Sequence, residues 1–146
     1  MSKAKVILLV CTGNSCRSVM AAGLLKKLLK GKGNYTVITA GTAAIKGMCA
    51  TAEAIEVMSE ENIDVSGHRS SPLSDEMIDQ ADLILVMEGR HQEHILAQEP
   101  SAGNKVHLLS ESDITDPIGR SLDFYRKVYA VIKESILGVA KKLEEQ

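Results

Sequence analysis

Two runs of unbroken aliphatic character, Val6-Ile7-Leu8-Leu9-Val10 and Leu83-Ile84-Leu85-Val86-Met87, constrain this chain more than any other feature. A strand with one wet face alternates apolar and polar residues. A run of strand length that does not alternate, and is rich in β-branched residues, reads as a strand covered on both sides. Tyr35-Thr36-Val37-Ile38-Thr39, closed by Gly41, and Lys105-Val106-His107-Leu108-Leu109 read as two more strands. Between them the period changes from two to about 3.6. Met20, Leu24, Leu25, Leu28 and Leu29 mark a helix over 20–30 that ends at Gly31 and Gly33. Ala54, Ile55 and Met58 mark one over 51–61, and 88–97 reads as another. Ser74 caps a short helix through Asp79, and Ser121 caps a last one whose stripe is Leu122, Tyr125, Val128, Ile132, Ile136, Val139 and Leu143. Strands separated by helices pair in parallel through right-handed crossovers. The predicted fold is therefore an α/β, three-layer α/β/α sandwich around a four-stranded parallel sheet. No repeat, low-complexity tract or linker divides the chain, so one domain is expected over 1–146.

Several function classes fall away on composition. The formal net charge is -2 and no basic face stands out, which argues against a nucleic-acid partner. No apolar run is long enough to cross a bilayer, so no membrane partner is expected. Met1 to Lys5 leads into the first strand without a cleavage site of signal-peptide type, and a cytoplasmic location is the expectation. Three cysteines, Cys11, Cys16 and Cys49, are an odd number in a chain long enough to stand on its own core. Chemistry is the better reason for them.

Ligand sites in such sheets lie beyond the carboxyl ends of the strands. After the first strand comes Cys11-Thr12-Gly13-Asn14-Ser15-Cys16-Arg17-Ser18. A loop between a strand end and a helix start can curl so that its backbone N–H groups converge on an anion. Gly13 and Asn14 are residue types that tolerate the left-handed backbone angles of such a curl. Arg17 adds a planar fork able to grip two phosphate oxygens. A thiolate at Cys11 would be stabilised by the same dipoles, with the Ser18 hydroxyl placed to donate to it. A Cys and an Arg with five residues between them also occur by chance, and most cysteines are buried hydrophobes. The position between strand and helix, with Gly-Asn inside, favours in-line attack of sulfur on phosphorus.

With these residues the chain resembles the low-molecular-weight protein tyrosine phosphatases, a family that includes protein-arginine phosphatases and thioredoxin-coupled arsenate reductases. The resemblance spans essentially the whole chain. It includes Thr39-Ala40-Gly41-Thr42, Ala81-Asp82-Leu83 and Asp116-Pro117. It implies Cys11 as nucleophile, Arg17 as phosphate clamp and Asp116 as general acid. It also implies a phosphate-binding loop of Thr12, Gly13, Asn14, Ser15, Cys16, Arg17 and Ser18, with Asn14 and Ser18 holding its shape. Asp before Pro is also ordinary turn chemistry, and Asp113 is the fallback acid. Val19 and Ala22 depart from the family's usual proline and glutamate, which puts helix packing in question rather than the cradle.

The remaining candidates are weaker. Cys16 either pairs with Cys11 in a protective disulfide or is an inert thiol; Cys49 has no partner in view and reads as structural. His68, His91, His94 and His107 form no metal-ligand cluster, and His91 and His94 read as solvated on a charged helix. Asp82 either braces the loop or is a strand-end residue, the second reading being preferred. No metal or cofactor is called for, because Arg17 and the amides supply positive charge. The partners expected are a phosphorylated protein substrate and a phosphate or other oxyanion in the loop.

Three reactions share such a cradle. For phosphotyrosine, the family's specific members usually carry a bulky aliphatic where this chain has Ser15, and aromatics after the Asp-Pro where it has Ile118 and Gly119. For phosphoarginine, a threonine stands at the Ser15 position, and Ser15 keeps its hydroxyl. Arsenate reduction needs two further cysteines downstream, and 87–100 has none.

Overall fold

The computed structural model describes residues 3–146; Met1 and Ser2, part of the N-terminal stretch read above, lie outside the described residues. Four strands, β1 (Lys5–Cys11), β2 (Tyr35–Gly41), β3 (Leu83–Val86) and β4 (Val106–Leu108), form one sheet in the order β2-β1-β3-β4. Every neighbouring pair is parallel. The helices are α1 (Arg17–Leu29), α2 (Ala52–Glu60), α3 (Asp75–Gln80), α4 (Gly89–Gln98) and α5 (Leu122–Glu144), with a 3-10 turn at Pro100–Asn104 that periodicity did not reveal.

The central strand shows why its sequence does not alternate. Ile7, Leu9 and Cys11 point into a core shared with α1, α2 and α5, while Leu8 and Val10 meet Ile78 of α3 and Ile95 of α4. Ile7, Leu8, Leu9 and Val10 are all 0% exposed. Each such side chain stabilises the fold by about 1.5–3 kcal/mol relative to an exposed one. The three-layer sandwich expected from the aliphatic runs is the architecture observed.

Local signals placed most boundaries. Thr51, Ser74 and Ser121 each accept a backbone N–H with their side-chain oxygen at the starts of α2, α3 and α5. On α5 the stripe is confirmed, with Tyr129 and Ala140 also buried. Helix α1, however, begins at Arg17 rather than Met20. Its first turn buries Arg17 and Ser18, polar residues that a search for apolar periodicity passes over. Val19 and Ala22 are also buried there, 3% and 4% exposed, so the departures from the family pattern pack without exposing the helix.

The topology fixes the site's position. From β1 the chain passes to β2 on one side, whereas β3 lies on the other, so loops diverge beyond the carboxyl end of β1. Cys11 is the last residue of that strand and pairs with Gly41. A Cβ on Gly41 would stand 2.4 Å from the Thr12 carbonyl oxygen and 2.9 Å from the Asn14 nitrogen. Only glycine allows β2 this close to the loop. Gly41→Ala is expected to destabilise the fold by about 1–3 kcal/mol and to lower turnover about tenfold by shifting the loop. Thermal melts and steady-state rates on para-nitrophenyl phosphate check this; an unchanged rate in a folded variant would show that the loop has slack.

Asp82 lies at the other end of β1, where its Oδ2 accepts the Val6 N–H at 2.7 Å. It is a strand-end residue and does not brace the loop. No helix among the described residues is long and apolar enough to cross a membrane.

Candidate active site

Residues 12–16 turn between β1 and α1 with one left-handed residue, Asn14, at φ 55°. Gly13, expected to share that conformation, does not adopt it. Asn14 holds its angle because its side chain and backbone are bonded throughout. Its Oδ1 accepts the Ser71 N–H at 2.9 Å, its Nδ2 donates to Ser18 Oγ at 2.7 Å, and its carbonyl lies 2.7 Å from His68 Nε2. Asn14 is wholly buried, so these bonds replace water it cannot reach. The loop is tied outward as well: Thr42 donates to the Cys11 carbonyl, Ala43 to that of Thr12 and Thr51 to that of Ser15.

This bonding orients the protons around Cys11. Ser18 Oγ already accepts from Asn14, so its own hydrogen is available to Cys11 Sγ, 3.1 Å away. The Asn14 N–H donates to the same sulfur at 3.2 Å. Two donors thus converge on one sulfur.

Arg17 is 1% exposed, although it is the residue expected to meet a ligand. Its Nη1 donates to Glu88 Oε2 at 2.6 Å and to the Ile114 carbonyl at 2.8 Å. Its Nη2 is held only loosely, 3.5 Å from Asp116 Oδ2 and 3.4 Å from Thr12 Oγ1. Its Nε is buried and meets no partner among the described residues. One edge of the guanidinium is therefore fastened to the protein, and the Nε–Nη2 edge is left for an oxyanion. Burial disfavours the charge on Glu88, but hydrogen bonds from Arg90 and Arg17 outweigh it and hold that carboxyl below the usual range.

Asp116 comes to the same place from the loop before α5. Its Oδ1 accepts the Ile118 N–H at 3.1 Å and the Cys16 S–H at 3.6 Å. Asp113, the fallback acid, is occupied elsewhere, since its Oδ1 accepts the Gly89 N–H at 2.8 Å. Cys11 and Cys16 are both free thiols. Burial, with Cys11 and Asp116 nearby, pushes the Cys16 thiol up to about 12, so it remains a protonated donor. Cys49 is free and exposed rather than a buried structural thiol.

The expectation for His91 is corrected. His94 is exposed, but His91 is buried, with Nδ1 accepting the Glu88 N–H at 3.1 Å and Nε2 2.8 Å from Thr12 Oγ1. Charged neighbours along the helix made it look solvated; its turn of α4 instead faces the loop. Burial, then the charge of Arg17, pushes its imidazole down to about 4. The unfolded ring protonates near 6.5, so this stabilisation is complete above about pH 6.5 and is lost as pH falls toward 4, a total of about 3 kcal/mol. Unfolding midpoints measured across that interval should drop more steeply in the wild type than in His91→Gln. Parallel profiles would mean the ring is not buried and neutral.

Glu88, His91, His68, Ser71 and Ile114 were not anticipated as part of this assembly. Glu88 alone had a legible signal, standing two residues past the end of β3 at the same edge of the sheet as the loop. What the residues assemble is a sulfur met by two donors, a guanidinium fastened along one edge and a carboxylate beside its other nitrogen.

A family model described as low molecular weight phosphotyrosine protein phosphatase matches residues 6–146. The chain belongs to this family. It is similar to the probable low molecular weight protein-tyrosine-phosphatase EpsP of Ralstonia solanacearum, at 40% identity over 90% of this chain and 91% of that one. It is also similar to the protein-arginine-phosphatase of Bacillus subtilis, at 37% identity over 95% and 97% of the two chains. A solved structure of the YwlE arginine phosphatase superposes with a TM-score of 0.91 at 36% identity, covering 97% of each chain. That structure is of a cysteine-to-serine variant with a phosphorylated active-site serine. As a member of the low-molecular-weight phosphatase family, the chain is a cysteine-dependent protein phosphatase. Arsenate reduction finds no support in these relatives.

Proposed function

We propose that the chain hydrolyses phosphotyrosine monoesters in proteins through a phosphocysteine intermediate, acting as one cytoplasmic domain over 1–146. Cys11 Sγ attacks phosphorus in line with the leaving oxygen. Amides of the loop from Thr12 through Gly13, Asn14, Ser15, Cys16 and Arg17 to Ser18, with the Arg17 guanidinium, hold the charge on the three equatorial oxygens. Asp116 gives a proton to the leaving oxygen. As a carboxylate it then takes one from the water that hydrolyses the phosphocysteine. The observation that carries this reading is Arg17, buried with an Nε that meets no partner among the described residues, while its Nη2 stands 3.5 Å from Asp116 Oδ2. A buried donor without a partner is costly in the unliganded protein, and an oxyanion there would satisfy it.

A second reading, phosphoarginine as substrate, draws on the rim. Segment 42–51 is tied to the loop at both ends, and it exposes Ile45 (71%) and Met48 (54%). Ile118 beside Asp116 is 56% exposed. These aliphatic surfaces would flank the methylene stem of an arginine as readily as a phenol ring, and Ser15 adds a hydroxyl. The resemblance to a protein-arginine-phosphatase favours the same reading. Phosphotyrosine and phosphoarginine peptides of one sequence, assayed side by side, decide between them. The expected outcome is a higher kcat/KM on phosphotyrosine; a large preference for phosphoarginine would transfer the assignment.

A further inference from the structure

The bonding of His91 determines where one more proton in the site can go. The Glu88 N–H donates to Nδ1, so that nitrogen carries a lone pair and the proton of the neutral ring sits on Nε2. Nε2 therefore donates to Thr12 Oγ1 across 2.8 Å. Arg90 Nη2 donates to the same oxygen at 2.9 Å, and Arg17 Nη2 stands 3.4 Å away. A hydroxyl oxygen has two lone pairs to accept with and one proton to give. Both lone pairs of Thr12 Oγ1 are taken. Its proton meets no acceptor among the described residues.

Thr12 directly follows Cys11, is only partly buried, and adjoins the loosely held nitrogen of Arg17. We propose that the Thr12 hydroxyl is a further donor to the tetrahedral oxyanion held by the loop, aimed there by His91 and Arg90 as positioning residues. The inference rests on the loop being a phosphoryl cradle. It adds a side-chain donor to the amides and guanidinium, one whose direction is set before the anion arrives. A hydroxyl that accepts from a guanidinium is polarised toward donating, which strengthens its bond to an anion. His91 bonds to both Thr12 and Glu88, because the ring that reaches Thr12 also accepts from the backbone of Glu88, whose carboxylate fastens Arg17.

Competitive inhibition by inorganic phosphate, measured with thermal melts, tests the proposal. Thr12→Val keeps the branched shape and removes the oxygen; it is expected to raise the phosphate inhibition constant about tenfold, the scale of one hydrogen bond to a charged group. Thr12→Ser is expected to return it to within about threefold. A constant for Thr12→Val within about twofold of wild type would overturn the assignment, being far less than such a bond contributes. Should Thr12→Val not fold, His91→Asn asks the same question. Its shorter amide keeps an acceptor for the Glu88 N–H but falls short of Thr12. It should weaken phosphate several-fold, and His91→Gln, which reaches the Nε2 position, should restore it. An unchanged constant in His91→Asn also overturns the proposal. If phosphate does not inhibit the wild-type protein, the cradle reading fails and the inference with it. Equal inhibition of wild type and both Thr12 variants removes the inference alone.

Discussion

Cys11→Ser is expected to lower kcat on para-nitrophenyl phosphate by about 10,000-fold or more, the scale seen when an enzyme loses its nucleophile. Ser18 Oγ and the Asn14 N–H converge on the sulfur. A serine hydroxyl can receive the same two contacts yet stays protonated at neutral pH, because an aliphatic alcohol is a far weaker acid than a thiol. Any phosphoryl group it does acquire should leave slowly, since the serine oxygen is the poorer leaving group. Incubation with substrate followed by intact-mass measurement should therefore find one added phosphoryl group per chain, in line with the phosphorylated serine in the related YwlE variant. A serine variant that keeps wild-type turnover would remove the covalent route.

Asp116→Asn is the second large effect, and its signature lies in substrate dependence. The carboxamide can still accept the Ile118 N–H that positions this side chain, so the loop should hold. What it cannot do is deliver a proton and take one back. Loss of a positioned general acid typically removes two to four decades of rate. The fall should be about 100- to 1,000-fold on phenyl phosphate, whose leaving oxygen needs protonation, and smaller on para-nitrophenyl phosphate, which leaves well without it. Equal losses on both substrates would argue that Asp116 only braces Arg17, from whose Nη2 its Oδ2 lies 3.5 Å.

These two predictions depend on residues 105 positions apart in the chain, and the two were legible in different ways. Cys11 and Arg17 could be read locally. An unbroken aliphatic run, a Gly-Asn turn and an apolar helix surround them within thirty residues, and each signal depends only on near neighbours. Asp116 was legible only through resemblance, because an Asp before Pro says nothing by itself about what it faces. The error at the start of α1 has the same origin. Periodicity detects apolar burial, whereas Arg17 and Ser18 are buried through hydrogen bonds to partners far along the chain.

The amino-acid sequence by itself determined the sheet, its parallel helical connections, the cradle after β1 and the candidate sulfur and guanidinium, because backbone propensity and hydrophobic period act over a few residues. Only the tertiary structure decided how that cradle is held. His91 against Thr12, Glu88 against Arg17, Ser71 and His68 against Asn14, and Gly41 beside the loop backbone meet through sheet order, not through spacing. Polar burial is stable only when donor and acceptor are brought together in three dimensions, and no one-dimensional pattern records that meeting.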